Sequence, residues 1–332
     1  MKEFLFFMPL LFGAGGAGIV AKIGTRLGLS DIPSSRSSHT ISTPKGGGVG
    51  ILFSFLLVCL YLKISFLFWF PSIVVALISF WGDKYDLSPK LRLICQFILA
   101  GIILGNMDLE KFAPIFNTIH TSITYKAIYI SIFICLLVFV VGTANFYNFM
   151  DGINGIAGIT GFIAFSLIGI VAFINRSQSS YFILAVSIAL SCLGFLPFNF
   201  PKAKVFMGDV GSILLGFVFA SLVILISKNW TDFFCYSGFI FPFFTDEIIT
   251  MLERIKRKES LTKPHRCHFY QILVNEKKID HWKVALGYGI VQLSIGLVLL
   301  VAKNHGLVSV IAVLTLAFIL FSYINYLIKK TI

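Results

Sequence analysis

Eleven apolar stretches recur along this chain, at about residues 3–23, 46–62, 66–81, 91–106, 127–144, 154–174, 180–197, 210–227, 232–252, 284–302 and 306–328. Most match the length of a bilayer-crossing helix, roughly 17–25 residues, and several sit at its short end. Backbone groups in lipid have no water to bond, so such spans are helices rather than open sheets. The chain has 332 residues, 57% of them hydrophobic and 13% charged. A soluble domain has too little interior to hide that much apolar surface. The expected fold class is an all-α polytopic membrane protein with ten or eleven transmembrane helices. Residues 1–332 are read as one integral membrane domain. The first span contains GAGGAG and is followed by no clear cleavage site. A retained helix is expected there rather than a signal peptide, with its glycines giving close helix packing.

Lys and Arg set the expected orientation. With the first loop placed inside, Lys22, Arg26, Arg36, Lys45, Lys84, Lys90, Arg92, Lys202, Lys204, nine residues from Arg254 to Lys283, Lys329 and Lys330 are cytoplasmic. Only Lys2, Lys63, Lys111, Lys126, Arg176, Lys228 and Lys303 stay outside. The positive-inside rule then puts the amino terminus outside and the carboxyl terminus inside. The net charge of +12 sits beside membrane spans, where it sets orientation and attracts anionic lipid. No nucleic-acid partner is expected. Cys59, Cys95, Cys135 and Cys192 fall within spans, Cys235 begins one, and Cys267 lies in a polar loop. With no CxxC, neither a disulfide framework nor zinc is indicated. Asp108 and Glu110 read as solvated loop charges.

The polar loops 24–45, 82–90, 145–153, 198–209 and 253–283 all fall on the cytoplasmic side in this reading. The four shorter ones each carry an aspartate of interest: Asp31, Asp83, Asp151 and Asp209. Such repeated return of acids, amides and glycines to one face describes a built site.

In FMGDVGS, Asp209 sits between Gly208 and Gly211 just before a span. Glycines let backbone approach a ligand, and a helix amino terminus favours phosphate oxygens. A carboxylate here suits Mg²⁺, which takes few protein ligands and shares substrate oxygens. The alternative is a helix cap for 210–227. In NFYNFMDGING, Asn145, Asn148 and Asp151 stand three apart, which stacks polar groups on one face of a helix end. They suit a base edge or a ribose; the alternative is capping and turn formation. WGDKYDLSPKLR offers Asp83 and Asp86 for a shared metal or proton. Arg92 offers a planar fork for phosphate oxygens, or an ordinary interface charge, as Lys90 does. The loop PHRCHFYQ gathers His265, Arg266, His268 and Gln271. With an arginine between the histidines, anion binding is favoured over metal. Asp246 lies within an apolar run, where an acid marks function by default. A structural network with Thr250 and Arg254, at four-residue steps, is its alternative.

These motifs, in this order, resemble the polyprenyl-phosphate N-acetylhexosamine-1-phosphate transferases of glycosyltransferase family 4. Asp31, Pro33, Arg36, His39, Pro44 and Gly47-Gly48 come first. GDKYDLSPKLRL, NFYNFMDGINGIAG and FMGDVGS follow, so the likeness covers about residues 31–273. PHRCHFYQIL, with Asp246 upstream, is similar to the O-antigen-initiating branch. It does not resemble the triple-histidine ending of the peptidoglycan branch. The family has two adjacent aspartates where this chain has Gly82-Asp83, and some relatives have aspartate at Asn154.

The resemblance implies transfer of a sugar phosphate, of GlcNAc, QuiNAc or FucNAc type, from a UDP-N-acetylhexosamine to undecaprenyl phosphate. UMP would be released, as the first membrane step of O-antigen or another cell-surface polysaccharide. It implies Mg²⁺, with Mn²⁺ as a substitute, on Asp209 and Asp83. Asp83, Asp209 and Asp86 would be catalytic. Asn145, Asn148, Asp151, Arg36, His39, Arg92, Asp246, His265, Arg266 and His268 would bind substrates. The implied setting is the bacterial inner membrane, with the site on its cytoplasmic face. Membrane lipid is the implied surrounding, and a homodimer is compatible with it. The rival readings are a transporter, whose polar groups belong near the bilayer midplane, and an inactive relative kept as a scaffold.

Overall fold

The computed structural model describes residues 4–33, 38, 41–85, 87–113, 123–175, 179–260 and 266–331. Its helices are α1 (Phe4–Ile23), α2 (Val49–Tyr61), α3 (Phe66–Tyr85), α4 (Pro89–Gly105), α5 (Ile123–Phe149), α6 (Ile156–Ile174) and α7 (Ser179–Asn199). They continue with α8 (Asp209–Ile226), α9 (Trp230–Ser237), α10 (Phe241–Lys256), α11 (Phe269–Asn275), α12 (His281–Ala302) and α13 (Leu307–Lys330). Among the described residues, seven helical segments are long and apolar enough to cross a membrane, and α1 and α2 carry shorter apolar stretches. The protein is an all-α polytopic membrane protein. Ten of the expected spans each fall on a single helix; 232–252 is divided between α9 and α10. The loop after α1 adds a detail the spans did not suggest. It folds into a two-residue antiparallel pair, β1 (Ser30–Asp31) against β2 (Thr43–Pro44).

Burial sorts the helices into an inner and an outer set. In α8, 89% of the apolar window is buried, against 6% in α13. A helix apolar all round belongs inside, and α8 packs against α2, α3, α5, α6 and α9. α13 turns Val308, Leu316, Ile319 and Leu320 outward, a surface suited only to lipid.

Glycines set the contact that matters most for the polar face. A Cβ on Gly48 would lie 2.5 Å from the Gly211 Cα. The first turns of α2 and α8 therefore touch backbone to backbone. Gly208, at φ 74°, is in the left-handed region, and a Cβ there would meet the Gly46 nitrogen at 2.7 Å.

The break between α9 and α10 is satisfied from the side. Gly238–Ile240 form a 3₁₀ turn and Pro242 opens α10. The Gln292 amide on α12 donates to the carbonyls of Phe239, 2.8 Å away, and Thr160, 3.0 Å away. This meets the demand that every polar group at membrane depth find a partner.

Candidate active site

The site starts from two loops that zip together. The amides of Gly46 and Gly47 donate to the Phe206 carbonyl, and that of Gly48 to the Met207 carbonyl, at 3.2, 2.9 and 2.9 Å. The Phe206 amide returns a bond to the Pro44 carbonyl at 2.8 Å. This register fixes Lys45 beside the amino terminus of α8. From another direction, α3 ends at Tyr85 and brings Asp83 to the same place.

Asp83 and Asp209 meet there. The Asp83 Oδ2 accepts the Asp209 amide at 3.0 Å, and its Oδ1 pairs with Lys45 Nζ at 3.1 Å. Asp83 thus takes one of the unpaired amides at the start of α8, where a negative charge is favoured. The cap position itself is Gly208, and Asp209 makes no capping bond. The reading of Asp209 as a simple helix cap therefore does not describe this structure. Its side chain faces other partners. Oδ2 pairs with the Arg92 guanidinium at 2.7 Å, and Oδ1 accepts from the Asn148 amide at 2.7 Å. The same amide nitrogen lies 2.8 Å from the Ser212 hydroxyl. Arg92 reaches this point because Ser88 caps α4 and Pro89 starts it, so that Arg92 lies in its first turn.

Around this centre lie the other amides and acids of the predicted motifs. Asn145, one turn before Asn148, donates to Gln96 Oε1 at 2.6 Å and to the Val141 carbonyl at 2.8 Å. Asp151 follows the end of α5. Burial, and then the negative charges of Asp209 and Asp83, push its carboxyl well above the usual range. Its loop is fastened by Asn199, which accepts the Gly155 amide at 2.7 Å and donates to the Val205 carbonyl at 2.9 Å.

A second cluster lies under the basic loop. Asp246 is fully buried, with 0% exposure. It accepts the amides of Phe269 and Tyr270 at 2.7 and 3.2 Å and the Tyr288 hydroxyl at 2.7 Å. Its carboxylate thus anchors α11, and of the two residues expected beside it, Thr250 donates its hydroxyl to Oδ1 at 3.4 Å. Arg254 pairs with Glu259 at 3.5 Å and bonds the Ser260 carbonyl. His268 Nδ1 stands 3.4 Å from Glu247 Oε2 and 4.0 Å from Asp246 Oδ1. Arg266 lies two residues before it, just outside α11.

Arg36, His39, Asp86 and His265 lie outside the described residues. Of the other predicted site residues, Asp83, Asp209, Arg92 and Asn148 are joined directly. Asp246 and His268 form the neighbouring cluster. Sequence reasoning passed over Lys45, Ser212, Asn199, Gln96 and Tyr270. Lys45 directly before three glycines, and Ser212 three residues after Asp209, were the available signals.

The family model described as "Glycosyl transferase family 4" matches residues 65–227. Over those residues, just under half of its length, the chain is similar to glycosyl transferase family 4. It is 27% identical over 268 residues to a Bacillus subtilis (strain 168) protein named "Probable undecaprenyl-phosphate N-acetylglucosaminyl 1-phosphate transferase", covering 77% of this chain and 72% of that one. It is 29% identical over 292 residues to the phospho-N-acetylmuramoyl-pentapeptide-transferase of Staphylococcus saprophyticus, covering 80% of this chain and 88% of that one. It is 29% identical over 258 residues to the undecaprenyl-phosphate alpha-N-acetylglucosaminyl 1-phosphate transferase of Thermotoga maritima, covering 77% and 76%. The protein is accordingly a membrane transferase.

Among the described residues, no three His, Cys, Asp or Glu side chains gather at metal-ligand spacing. The pair Asp83 and Asp209 nevertheless fits magnesium, which binds through one or two carboxylates and takes its remaining ligands from water and phosphate oxygens. All oxygen donors, adjacent backbone amides and flanking cations make this a corner for a metal and an anion together.

Proposed function

We propose that this membrane transferase moves an N-acetylhexosamine-1-phosphate from a UDP-sugar to undecaprenyl phosphate and releases UMP, on the cytoplasmic face of a bacterial inner membrane. The observation that carries this reading is the meeting of Asp83, Asp209, Lys45, Arg92 and Asn148, from five separate helices and loops, at one corner. Two carboxylates, two cations and an amide suit a diphosphate and its counter-ion. The names of the relatives supply the substrate class.

In the proposed reaction, an oxygen of the lipid phosphate attacks the sugar-bearing phosphorus. The bond from that phosphorus to the bridging oxygen breaks, and its electron pair leaves on UMP. The nucleophile is already anionic, so no strong base is required. Such transfer asks for positioning and charge stabilisation. Asp209 and Asp83 would hold Mg²⁺, or Mn²⁺ in its place, which supplies charge neutralisation when bound. Lys45 and Arg92 line the corner for phosphate oxygens. Asn148 and Asp151 face the nucleotide. His268 and Arg266 flank the sugar or diphosphate, and Asp246 holds their loop. The sugar proposed is of GlcNAc, QuiNAc or FucNAc type, feeding O-antigen or another surface polysaccharide.

A second reading, transfer of a phospho-N-acetylmuramoyl-pentapeptide, draws on relatives of that description. The ending Arg266-Cys267-His268 speaks against it. The test is purified protein with undecaprenyl phosphate, Mg²⁺ and a panel of UDP-sugars, followed by UMP release. Lipid-dependent UMP from one UDP-N-acetylhexosamine is expected. UMP only from the muramoyl-pentapeptide nucleotide would establish the second reading, and no UMP from any donor would sink both.

A further inference from the structure

Gly82 stands directly before Asp83 in α3, and its empty side is filled by an arginine. A Cβ built on Gly82 would lie 3.0 Å from Arg92 Cδ and 3.2 Å from one of its guanidinium nitrogens. That same guanidinium pairs with Asp209 Oδ2 at 2.7 Å. The side chain of Arg92 therefore runs through the volume a residue at 82 would occupy, on its way to the proposed metal ligand.

The four carboxylate oxygens of the corner are all engaged. Asp209 Oδ1 holds the Asn148 amide, and Asp83 Oδ2 holds the Asp209 backbone amide. These two are neutral partners that orient the carboxylates. The other two oxygens face cations, Asp83 Oδ1 at Lys45 and Asp209 Oδ2 at Arg92. A guanidinium at hydrogen-bond distance is a strong partner for a carboxylate, and its charge opposes a divalent ion at the same oxygen. A diphosphate changes that balance, because its oxygens accept the guanidinium as readily as a carboxylate does.

We propose that Arg92, admitted by Gly82, is the resident counter-ion of Asp209, so that this enzyme takes up its divalent metal together with the nucleotide diphosphate and holds it poorly alone. The proposal rests on the transferase reading above. It makes Arg92 a positioning residue that exchanges one anion for another, from Asp209 to phosphate. It makes Gly82 the gap through which that residue acts.

The experiment uses full-length protein in nanodiscs of phosphatidylethanolamine and phosphatidylglycerol, with Mn²⁺ as the probe read by electron paramagnetic resonance. Without nucleotide, Arg92→Gln is expected to bind Mn²⁺ at least tenfold more tightly than wild type, about 1.4 kcal/mol. Gly82→Leu keeps the net charge but displaces the guanidinium, and is expected to move affinity the same way. Monodispersity on size exclusion checks that each variant folds. Equal or weaker Mn²⁺ binding by Arg92→Gln, including no detectable binding, overturns the counter-ion role. A gain in Arg92→Gln with none in Gly82→Leu overturns the part assigned to Gly82. Labelled UDP retained by wild type only when Mn²⁺ is present supports joint uptake, and equal retention without Mn²⁺ overturns it. No UDP retained under any condition counts against the transferase reading, while the nucleotide-free Mn²⁺ comparison still judges Arg92.

Discussion

The Tyr270 hydroxyl donates to the Phe149 carbonyl across 3.0 Å, joining α11 to the last residue of α5. Its backbone amide sits on Asp246, and its ring lies nearly parallel to that of His268, 15° apart. One side chain therefore links the histidine loop to the segment that carries Asn148 and Asp151. The fit is close on the far side too, since a Cβ on Gly152 would lie 2.2 Å from the Tyr270 hydroxyl.

Removing the hydroxyl tests the link. Tyr270→Phe leaves the Phe149 carbonyl without this donor in a part-buried setting, an effect of about 1 kcal/mol. The variant is expected to lose a few degrees of thermal stability in detergent. It should also raise the nucleotide KM several-fold while kcat stays within about threefold. Gly152→Ala should damage both loops more, because its methyl group has no room. Unchanged stability and KM in Tyr270→Phe would remove this link from the site.

Asp209→Asn and Asp83→Asn separate the two carboxylates. Asparagine at 209 loses the charge that faces Arg92 and the proposed metal. Transfer is expected to fall at least 100-fold, with the protein still in the membrane, a loss of about 2.7 kcal/mol in transition-state stabilisation. Asparagine at 83 can still accept the Asp209 amide through its carbonyl oxygen, but its amide nitrogen then faces Lys45, so the charge and that ion pair are both lost. The UMP assay reads both. Either variant at wild-type rate would take that residue out of the chemistry.

The membrane spans were legible because lipid leaves few alternatives. An apolar run of sufficient length, closed by charges, has only the helix available to it. The division of 232–252 was less visible. Gly238 and Pro242 were signals, but the carbonyl left free at Phe239 finds its donor in Gln292, far along the chain. Within the site, Asp83, Asp209, Arg92 and Asn148 stood out because acids, amides and an arginine near spans are costly to keep. Lys45 did not, because its place depends on the register between residues 44–48 and 206–208. Gly82 looked like a missing carboxylate. In the structure it is the space along which Arg92 travels, and no local pattern announces a gap. An aspartate there would draw the guanidinium away from Asp209, so Gly82→Asp is a greater change than the sequence suggested.

Orientation remains a proposal with a direct check. Single cysteines at Lys202, Lys258 and Lys278 should resist a membrane-impermeant maleimide in intact cells and react once the cells are opened. Cysteines at Lys126 and Lys228 should react in intact cells. Labelling of Lys202→Cys from outside would break the single-face arrangement drawn from the positive-inside rule.

His268 provides a pH signature whose sign follows from its surroundings. Its side chain is 4% exposed. Asp246 and Glu247 face it from α10, and the charges of Arg254 on α10 and Lys329 on α13 also act on it. Burial, and then those two positive charges, push its imidazole from the ordinary 6.5 down to about 4. The folded protein therefore holds the neutral ring at pH 7. An unfolded chain would take up a proton near pH 6.5 and the folded one only near pH 4. The stability linked to this site is complete above about pH 6.5, is lost as pH falls toward 4, and changes no further below that. Its size is of the order of 3 kcal/mol. As pH drops from 7 to 5 the melting temperature of His268→Gln is expected to gain on that of wild type, because the variant lacks this ring's contribution. Scanning fluorimetry at half-unit pH steps measures it. An identical slope in wild type and His268→Gln would show that another group carries the pH dependence and that His268 is not held neutral.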